Sequence, residues 1–174
     1  MATGTVSISM RTLCVSAAPG ATRAPMTPPI DWLPFSSLSG REVHDVLQLR
    51  ERVFIVEQNC PYLDADGADP QCWHGLCRDG ETLIATARLV PPGLKYVEPA
   101  IGRVVTSPDA RRSGAGRALM LSAIAQCKVL WPGQDVRLGA QRYLEKFYGS
   151  LGFEPVGEPY DEDGIPHVEM LRRW

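Results

Sequence analysis

The feature that most constrains this chain is a mostly apolar run followed by a glycine-containing loop and a long helical pattern. Residues 100–106 predict a β-strand and residues 115–130 predict a helix. The loop that joins them ends in Arg111, Arg112, Ser113, Gly114, Ala115 and Gly116. The first helical turn has unpaired N–H groups and a partial positive charge, and glycine lets the backbone approach a ligand closely. The pattern therefore predicts a site for an anion such as phosphate.

The overall charge does not supply an attraction for anions. The chain has 174 residues, with 18 basic and 20 acidic side chains and a net charge of −2. We therefore expect no binding to nucleic acid or to an anionic membrane, and an anionic ligand must be held by a local cluster. The densest basic cluster is Arg111, Arg112 and Arg117, in the glycine loop itself.

Two common phosphate motifs can be excluded at this loop. A P-loop requires Gly-Lys followed by Ser or Thr, and the sequence contains no such run. A dinucleotide-binding loop requires a third glycine or an alanine at position 119, where Leu119 stands. The loop therefore belongs to another class of phosphate site.

The rest of the chain predicts a single α+β domain. Residues 30–174 form the expected domain, and residues 1–29, rich in Ala, Thr, Ser and Pro, form an expected disordered extension. Five irregularly spaced cysteines indicate reduced thiols in a cytoplasmic protein. Cys72, His74 and Cys77 lie close in sequence, but without a Cys-x-x-Cys knuckle we predict no metal site.

The predicted elements alternate between strands and helices. A helix starting at Ser39 or Gly40 continues through Glu57, and helix 115–130 carries an apolar stripe of Ala118, Leu121, Ala125 and Val129. A further helix is predicted over 141–151. Strands are predicted at 30–35, 72–79, 82–90, 100–106, 136–139, 153–156 and 167–171. This order gives a mixed sheet with helices on both faces.

Residues on both sides of helix 115–130 carry a family resemblance. The loop pattern Arg111-x-x-Gly114-x-Gly116, then Gln141, Phe147, Tyr148 and the run 151–153, resembles the GNAT family of N-acetyltransferases. The resemblance implies a mostly antiparallel sheet of six to seven strands and acetyl-CoA as cofactor. It also implies that Val104, Val105, Thr106, Gln141, Phe147 and Tyr148 contact the cofactor beyond its pyrophosphate.

The earlier part of the sequence narrows the resemblance. Leu49, Arg50, Val53 and Phe54, followed by the acidic segment 57–69 and by Asp163 to His167, are similar to the ElaA-type subgroup of that family. The implied reaction is direct attack of an amine on the thioester. The acceptor is then a small-molecule or peptide amine, and we leave open whether the chain forms a homodimer.

The catalytic assignments follow from this resemblance. Tyr148 is the expected general acid, because a tyrosine stays protonated at neutral pH. Many family members carry a glutamate where this chain has Ala100, so the base is left open. We weigh His167 and Glu57 equally, His74 below them as a strand histidine more often buried in a core, and Glu98 as a substitute for the missing glutamate.

The acidic segment is the expected acceptor-binding region. Asp64, Asp66 and Asp69 are interpreted as groups that recognise a cationic acceptor, and Arg50 is expected to pair with one of them. The expected substrate contacts are Glu57, Gln58, Tyr62, Asp64, Asp66, Arg103 and His167. Two alternatives stay open: an acyltransferase of the acyl-homoserine-lactone synthase type, and a non-catalytic acetyl-CoA-binding module.

Overall fold

The structure, a computed structural model, describes residues 28–162 and 164–174. The expected disordered extension lies outside the described residues except for its last two, Pro28 and Pro29, as do Cys14 and Asp163. The strands are β1 (Ile30–Pro34), β2 (Trp73–Asp79), β3 (Thr82–Val90), β4 (Ala100–Thr106), β5 (Val136–Gln141), β6 (Glu154–Glu162) and β7 (Ile165–Arg172). The α-helices are α1 (Gly40–Arg50), α2 (Ala115–Leu130) and α3 (Glu145–Gly149).

One sheet contains all of these strands, in the order β1-β2-β3-β4-β5-β7-β6. Neighbouring strands are antiparallel except β4 and β5, which are parallel. The predicted hairpin of β2 and β3 is present, with Gly80 at a φ of 59° in its turn. The expected mixed, mostly antiparallel sheet is confirmed.

The parallel pair β4 and β5 separates soon after it begins. In the part of the chain that the structure describes, these strands pair at Ala100 and Arg137 and at no later position. Each strand stays paired on its other side, β4 with β3 as far as Thr106 and β5 with β7 as far as Gln141. The sheet therefore opens between residues 102–106 and 138–141, a space that we call the strand cleft.

The first helix covers one face of the sheet. Ser39 caps α1, and its side chain and that of Glu42 form a reciprocal capping box. The helix buries Val46 and Leu49 against Leu76 and Val105 of the sheet. It continues directly into a π-helix, Glu51–Glu57. The sequence predicted that helical structure continues or restarts through Glu57, but not that this part is a π-helix.

The second helix covers the opposite face, but not with the predicted stripe. Leu121 is 52% exposed and Val129 is 74% exposed. The buried residues of α2 are Ala115, Leu119, Met120, Ala123, Ile124 and Cys127. The stripe prediction was wrong because α2 is apolar around most of its circumference, so helical spacing alone selects no side.

The segment after β5 also differs from its prediction. Gln141 is the last residue of β5, whereas the sequence placed it at the start of a helix. A short 3-10 helix, Arg142–Leu144, precedes α3, and α3 ends at Gly149. Gln141 is therefore fixed by strand pairing with β7, and it lies at the open end of the strand cleft.

The corrected face of α2 can be tested with two leucines of the same helix. Leu119→Ala removes a fully buried side chain and should lower the free energy of unfolding by about 2–5 kcal/mol. Leu121→Ala, the matched control on the exposed side, should change it by less than about 0.5 kcal/mol. Urea denaturation measures both variants. Equal losses would contradict the assigned face.

Candidate cofactor and acceptor site

The glycine loop forms the N-terminus of α2, next to the end of β4. Gly114 is the N-cap residue, with a φ of 92° and open space where a Cβ would stand. A Cβ on Gly116 would lie 3.0 Å from Oγ1 of Thr106, so glycine allows the helix to approach β4 closely. Ser113 accepts a hydrogen bond from the N–H of Ala115 at 3.2 Å and holds the loop. The exposed N-terminus of a 16-residue helix thus lies beside the strand cleft.

The arginines of the loop have different partners. Arg111 pairs with both carboxylate oxygens of Glu57, at 2.7 and 2.8 Å. This hydrogen bonding lowers the pKa of Glu57. Arg117 donates to Ser150 at 2.8 Å, and Arg112 is exposed at a φ of 65°. Glu57 therefore holds the glycine loop through Arg111. Its lowered pKa makes Glu57 a weaker proton acceptor than an ordinary glutamate.

The β4 side of the cleft is shaped by an irregularity in the strand. Arg103 has a φ of 50°, and the pairing register with β3 shifts between Thr86 and Arg88. After this bulge, Val105 is buried beneath α1, whereas Val104 packs toward α2. The strand edge of residues 102–106 that faces β5 has no strand partner among the described residues. Its backbone groups are available to an extended ligand.

Gln58, Gln141 and His167 come together at the open end of the cleft. Gln141 pairs with His167 across β5 and β7, and it donates to Oε1 of Gln58 at 3.3 Å. Nδ1 of His167 donates to the carbonyl of Ile165 at 2.8 Å, which leaves the lone pair on Nε2. Nε2 of His167 lies 3.9 Å from Oε2 of Glu162. This arrangement suits His167 as a proton acceptor.

The other candidate histidine lies elsewhere. His74 is buried in β2, where its Nε2 donates to the carbonyl of Asp69 at 3.1 Å. Burial lowers the pKa of His74. Because β3 lies between β2 and β4, this imidazole is separated from the cleft by a strand. The geometry agrees with a hydrogen-bonded core histidine.

Tyr148 lies on α3 and is 6% exposed. Its ring packs edge-on against Phe147 and Phe153, with centroid distances of 5.1 and 6.2 Å. Burial raises the pKa of Tyr148 to about 12, so the hydroxyl stays protonated at neutral pH. Tyr148 and Phe147 follow the end of β5 closely; Tyr148 belongs to the core that α2 covers, and Phe147 packs against that core.

The acidic segment is neutralised internally, which the sequence analysis did not predict. Arg50, 1% exposed, donates to Oδ2 of Asp64 at 2.7 Å and to both oxygens of Asp69 at 3.0 Å. Arg88 binds Asp66 at 2.7 Å and Asp69 at 2.8 Å. We call these residues, with Arg103, the arginine–aspartate network. The expected pairing of Arg50 with one of these acids is confirmed.

Three further contacts close this network toward the bulge of β4. Nε of Arg103 lies 2.8 Å from Oδ1 of Asp64, and Tyr62 donates to the same oxygen at 3.1 Å. Burial raises the pKa of Tyr62 to about 12. Nη2 of Arg103 lies 3.3 Å from Asp66. Asp64 and Asp66 thus already face guanidinium groups, which does not favour the interpretation that they bind the acceptor's cation.

Four side chains near the cleft were not singled out as substrate contacts by the sequence analysis: Tyr96, Arg137, Tyr160 and Glu169. Tyr96 and Tyr160 both donate to Oε1 of Glu169, at 2.8 and 2.9 Å. The sequence could have indicated Glu169 through the two-residue alternation of β7, which puts Glu169 on the same face as His167. Glu98, weighed as a base, is bound by Arg137 at 3.0 and 3.1 Å, and this contact lowers its pKa.

Residues 28–162 and 164–174 contain neither a metal-binding cluster nor a membrane-spanning helix. No group of three or more His, Cys, Asp or Glu side chains has an arrangement that could hold a metal ion. No helix there is both long and apolar enough to cross a membrane.

With this geometry established, comparison with known proteins defines the class. A family model described as an acetyltransferase (GNAT) domain matches residues 78–173. Protein ElaA of Escherichia coli K12 is 44% identical over 147 residues, which cover 82% of this chain and 96% of ElaA. A UPF0039 protein of Synechocystis is 45% identical over 143 residues, covering 82% of this chain and 93% of that protein.

Comparison with solved structures indicates the same family. Escherichia coli ElaA matches with a TM-score of 0.79 and 41% identity, and an acyl-CoA N-acyltransferase from Pseudomonas aeruginosa matches with a TM-score of 0.79 and 39% identity. Each match covers 83% of this chain and 99% of the other. The chain belongs to the GNAT family of acetyltransferases, whose general activity is acyl transfer from an acyl-CoA. Within that family, the expected similarity to the ElaA-type subgroup is confirmed.

The arginine–aspartate network predicts a specific loss of stability in acid. Hydrogen bonds from Arg88 hold the pKa of Asp66 well below its usual range. A lowered folded-state pKa stabilises the fold above the unfolded pKa, near 4, and this stabilisation is lost as the pH falls below that value. Asp66→Asn should therefore be less stable than the wild type at pH 7, and the difference should shrink below about pH 4.

Urea unfolding at pH 7 and at a pH below about 4 measures this difference in stability. The matched control is Asp31→Asn, at an exposed aspartate on β1. The Asp31 variant should keep the pH dependence of the wild type. The same pH dependence in wild type and Asp66→Asn would show that the network does not stabilise the fold through Asp66.

Proposed function

We propose that the protein is an N-acetyltransferase that moves the acetyl group of acetyl-CoA to a primary amine by direct attack of the amine on the thioester. The observation that carries this proposal is the strand cleft, which opens beside the exposed N-terminus of α2. Acyl transfer from an acyl-CoA is the general activity of the family. The acetyl group and the amine acceptor are the specific parts of the proposal.

The glycine loop is the proposed holder of the cofactor's pyrophosphate. The N–H groups from Gly114 to Gly116 and the exposed Arg112 are the donors, with Arg117 and Ser113 beside them. Arg111 contributes positive charge while it remains paired with Glu57. The proposal is supported by open space at Gly114 and by the close approach of Gly116 to Thr106.

The two walls of the cleft are the proposed binding surface for the pantetheine arm. The free edge of Val104, Val105 and Thr106 offers backbone donors and acceptors to amides in an extended arm, as a strand does to its neighbour. Gln141, the last residue of β5, and Phe147, which follows it along the chain, are the proposed contacts on the opposite wall. A backbone N–H near the bulge at Arg103 is the proposed donor to the reacting carbonyl, and such donors typically stabilise a transition state by a few kcal/mol.

Acetyl-CoA supplies an activated thioester in this site, and the side chains supply proton transfers. His167 is the proposed base, because its Nε2 carries the lone pair and Glu162 lies close enough to stabilise an imidazolium. Glu57 is bound to Arg111, and His74 is separated from the cleft by β3. Tyr148 is the proposed acid that returns a proton to the departing thiolate.

The phosphate role of the loop can be tested with a pair of glycines. Gly114→Glu should weaken acetyl-CoA binding by at least about 100-fold, because like charges at a binding site cost several kcal/mol. Gly133→Glu, at the other end of α2, is the matched control, since Gly133 is also exposed and has a φ of 77°. Calorimetry with acetyl-CoA should give the control near-wild-type affinity. Retained affinity in Gly114→Glu would refute the loop assignment.

The role of Tyr148 can be tested by removing its hydroxyl. Tyr148→Phe should lower kcat by about 100-fold or more while acetyl-CoA affinity stays near that of the wild type. Tyr143→Phe, at a side chain that is 73% exposed, is the control and should be unaffected. Thiol release measured over a panel of primary amines gives kcat. Unchanged turnover in Tyr148→Phe would mean that another group protonates the sulfur.

The same assay tests the proposed function as a whole. We expect acetyl-CoA to bind and at least one primary amine to release the thiol. Failure to bind acetyl-CoA would contradict the proposal at its first step. Binding without thiol release from any amine would favour the non-catalytic alternative.

A further inference from the structure

Strands β5 and β7 present a polar row on the sheet face opposite α2. Val136, Leu138 and Ala140 of β5 are buried in the core that α2 covers, so Arg137, Gly139 and Gln141 lie on the other face. On β7, Val168 and Met170 join the same core, so His167 and Glu169 share the polar face. Gly139 is paired with Glu169. Glu169 thus lies on β7 beside Gly139, which belongs to the part of β5 that borders the strand cleft.

Gly139 makes room for a cluster of polar atoms directly above it. A Cβ at this position would lie 3.1 Å from the hydroxyl of Tyr160 and 3.5 Å from Oε1 of Glu169. Oε1 accepts hydrogen bonds from both Tyr160 and Tyr96. These tyrosines come from β6 and from the segment before β4, so two distant parts of the chain fix the position of one carboxylate.

The second oxygen of Glu169 has no hydrogen-bond donor. Oε2 is buried, and no donor reaches it from the described residues. Nη1 of Arg137 lies 3.9 Å away, which gives attraction but not a hydrogen bond. Arg137 instead directs Nε and Nη2 to Glu98. Buried carboxylate oxygens normally receive donors, so Oε2, which the described residues supply only with the longer ion pair to Arg137, can still accept a hydrogen bond.

An open surface depression, which we call the adjacent cavity, lies on the Tyr96 and Arg137 side of this acceptor. Its volume is about 510 Å³, and its lining consists of Gly93, Lys95, Tyr96, Val97, Glu98 and Arg137. Tyr96 and Arg137 belong both to the cavity wall and to the surroundings of Glu169.

We propose that Glu169, fixed by Tyr96 and Tyr160, binds the ammonium form of an alkylamine acceptor whose substituent occupies the adjacent cavity. An ammonium N–H donated to Oε2 would be a charge-assisted hydrogen bond, roughly twice as strong as a neutral one. The hydrogen bonds of Arg137 to Glu98 support this binding, because they keep the Arg137 guanidinium from taking the ammonium's place at Oε2. The proposal rests on the proposed function and adds its acceptor class.

The hydroxyls of Tyr96 and Tyr160 keep their hydrogen bonds to Glu169 at neutral pH. Burial, and then the hydrogen bond to Glu169, raises the pKa of Tyr96 and of Tyr160, so both hydroxyls remain donors. Tyr160 also stacks on His167, with ring centroids 5.9 Å apart. The ammonium site and the proposed base are therefore joined by one side chain. Glu169 holds the amine, and His167 takes its proton.

The test uses two probes of nearly equal shape, n-butylammonium chloride and 1-butanol. Calorimetry of the wild type, with and without saturating coenzyme A, should give binding at least about tenfold tighter for the ammonium, equivalent to about 1.4 kcal/mol. Glu169→Gln should remove this preference. The control Glu154→Gln, at an exposed glutamate paired with Arg173, should keep it. Equal binding of both probes to the wild type, or no binding of either, would overturn the proposal.

A second variant and a second measurement guard against misfolding. Glu169→Asp keeps the charge and should keep part of the ammonium preference; its complete loss would indicate only a structural role for the side chain. With an alkylamine that releases thiol, Glu169→Gln should raise the acceptor KM about tenfold and leave the KM for acetyl-CoA unchanged.

These outcomes separate the two proposals. Loss of acetyl-CoA binding or of all thiol release in the wild type would contradict the proposed function. Normal turnover of alkylamines by both wild type and Glu169→Gln, with unchanged acceptor KM, would contradict the ammonium site alone.

Discussion

The separation of β4 from β5 is the constraint on which the rest of this structure depends. Two parallel strands ordinarily continue to pair, because an unpaired strand edge inside a sheet leaves backbone groups without partners. Here the pairing ends after Ala100 and Arg137, while both strands remain held by their outer neighbours. The bulge at Arg103 turns the edge of β4, and the contact of Glu98 with Arg137 fixes the closed end. The cleft therefore belongs to the fold itself.

The arginine–aspartate network explains how a strained residue is held beside this cleft. A positive φ at a non-glycine residue such as Arg103 is uncommon and requires support from its surroundings. That support comes from Asp64 and Asp66, which are themselves held by Arg50 and Arg88. Three arginines balance three aspartates, so the network adds no net charge. Its role is to fix geometry: desolvation offsets most of the net stability of a complete buried ion pair, although removal of one partner still destabilises the fold.

Features with local causes could be predicted from the sequence. The hairpin follows from Asp79 and Gly80, the bounds of α2 follow from its glycine and proline flanks, and the glycine loop at the N-terminus of α2 follows from its spacing of glycines. The buried face of α2 could not be chosen, because both of its sides carry apolar residues. The pairing of Asp64 with Arg103 and of Asp66 with Arg88 could not be assigned, since these arginines lie on distant strands.

The proposed ammonium site shows the same limit. Glu169 shares a face with His167, and alternation in β7 alone links the two. Its hydrogen bond with Tyr96 joins residues 73 positions apart, which no local pattern reveals. Gly139 would be interpreted in sequence as a weak point in a strand, whereas in the structure it makes space for Tyr160 and Glu169. Packing across the sheet determines the acceptor side of the site, and local sequence determines the cofactor side.

A crystal structure of the protein with coenzyme A tests the central claim most directly. The account predicts the pyrophosphate against the N–H groups of Gly114 to Gly116, and the pantetheine arm between β4 and β5 along Val104 to Thr106. The sulfur should then lie within reach of the Tyr148 hydroxyl. Coenzyme A bound elsewhere on the surface, with the strand cleft unchanged, would contradict the account.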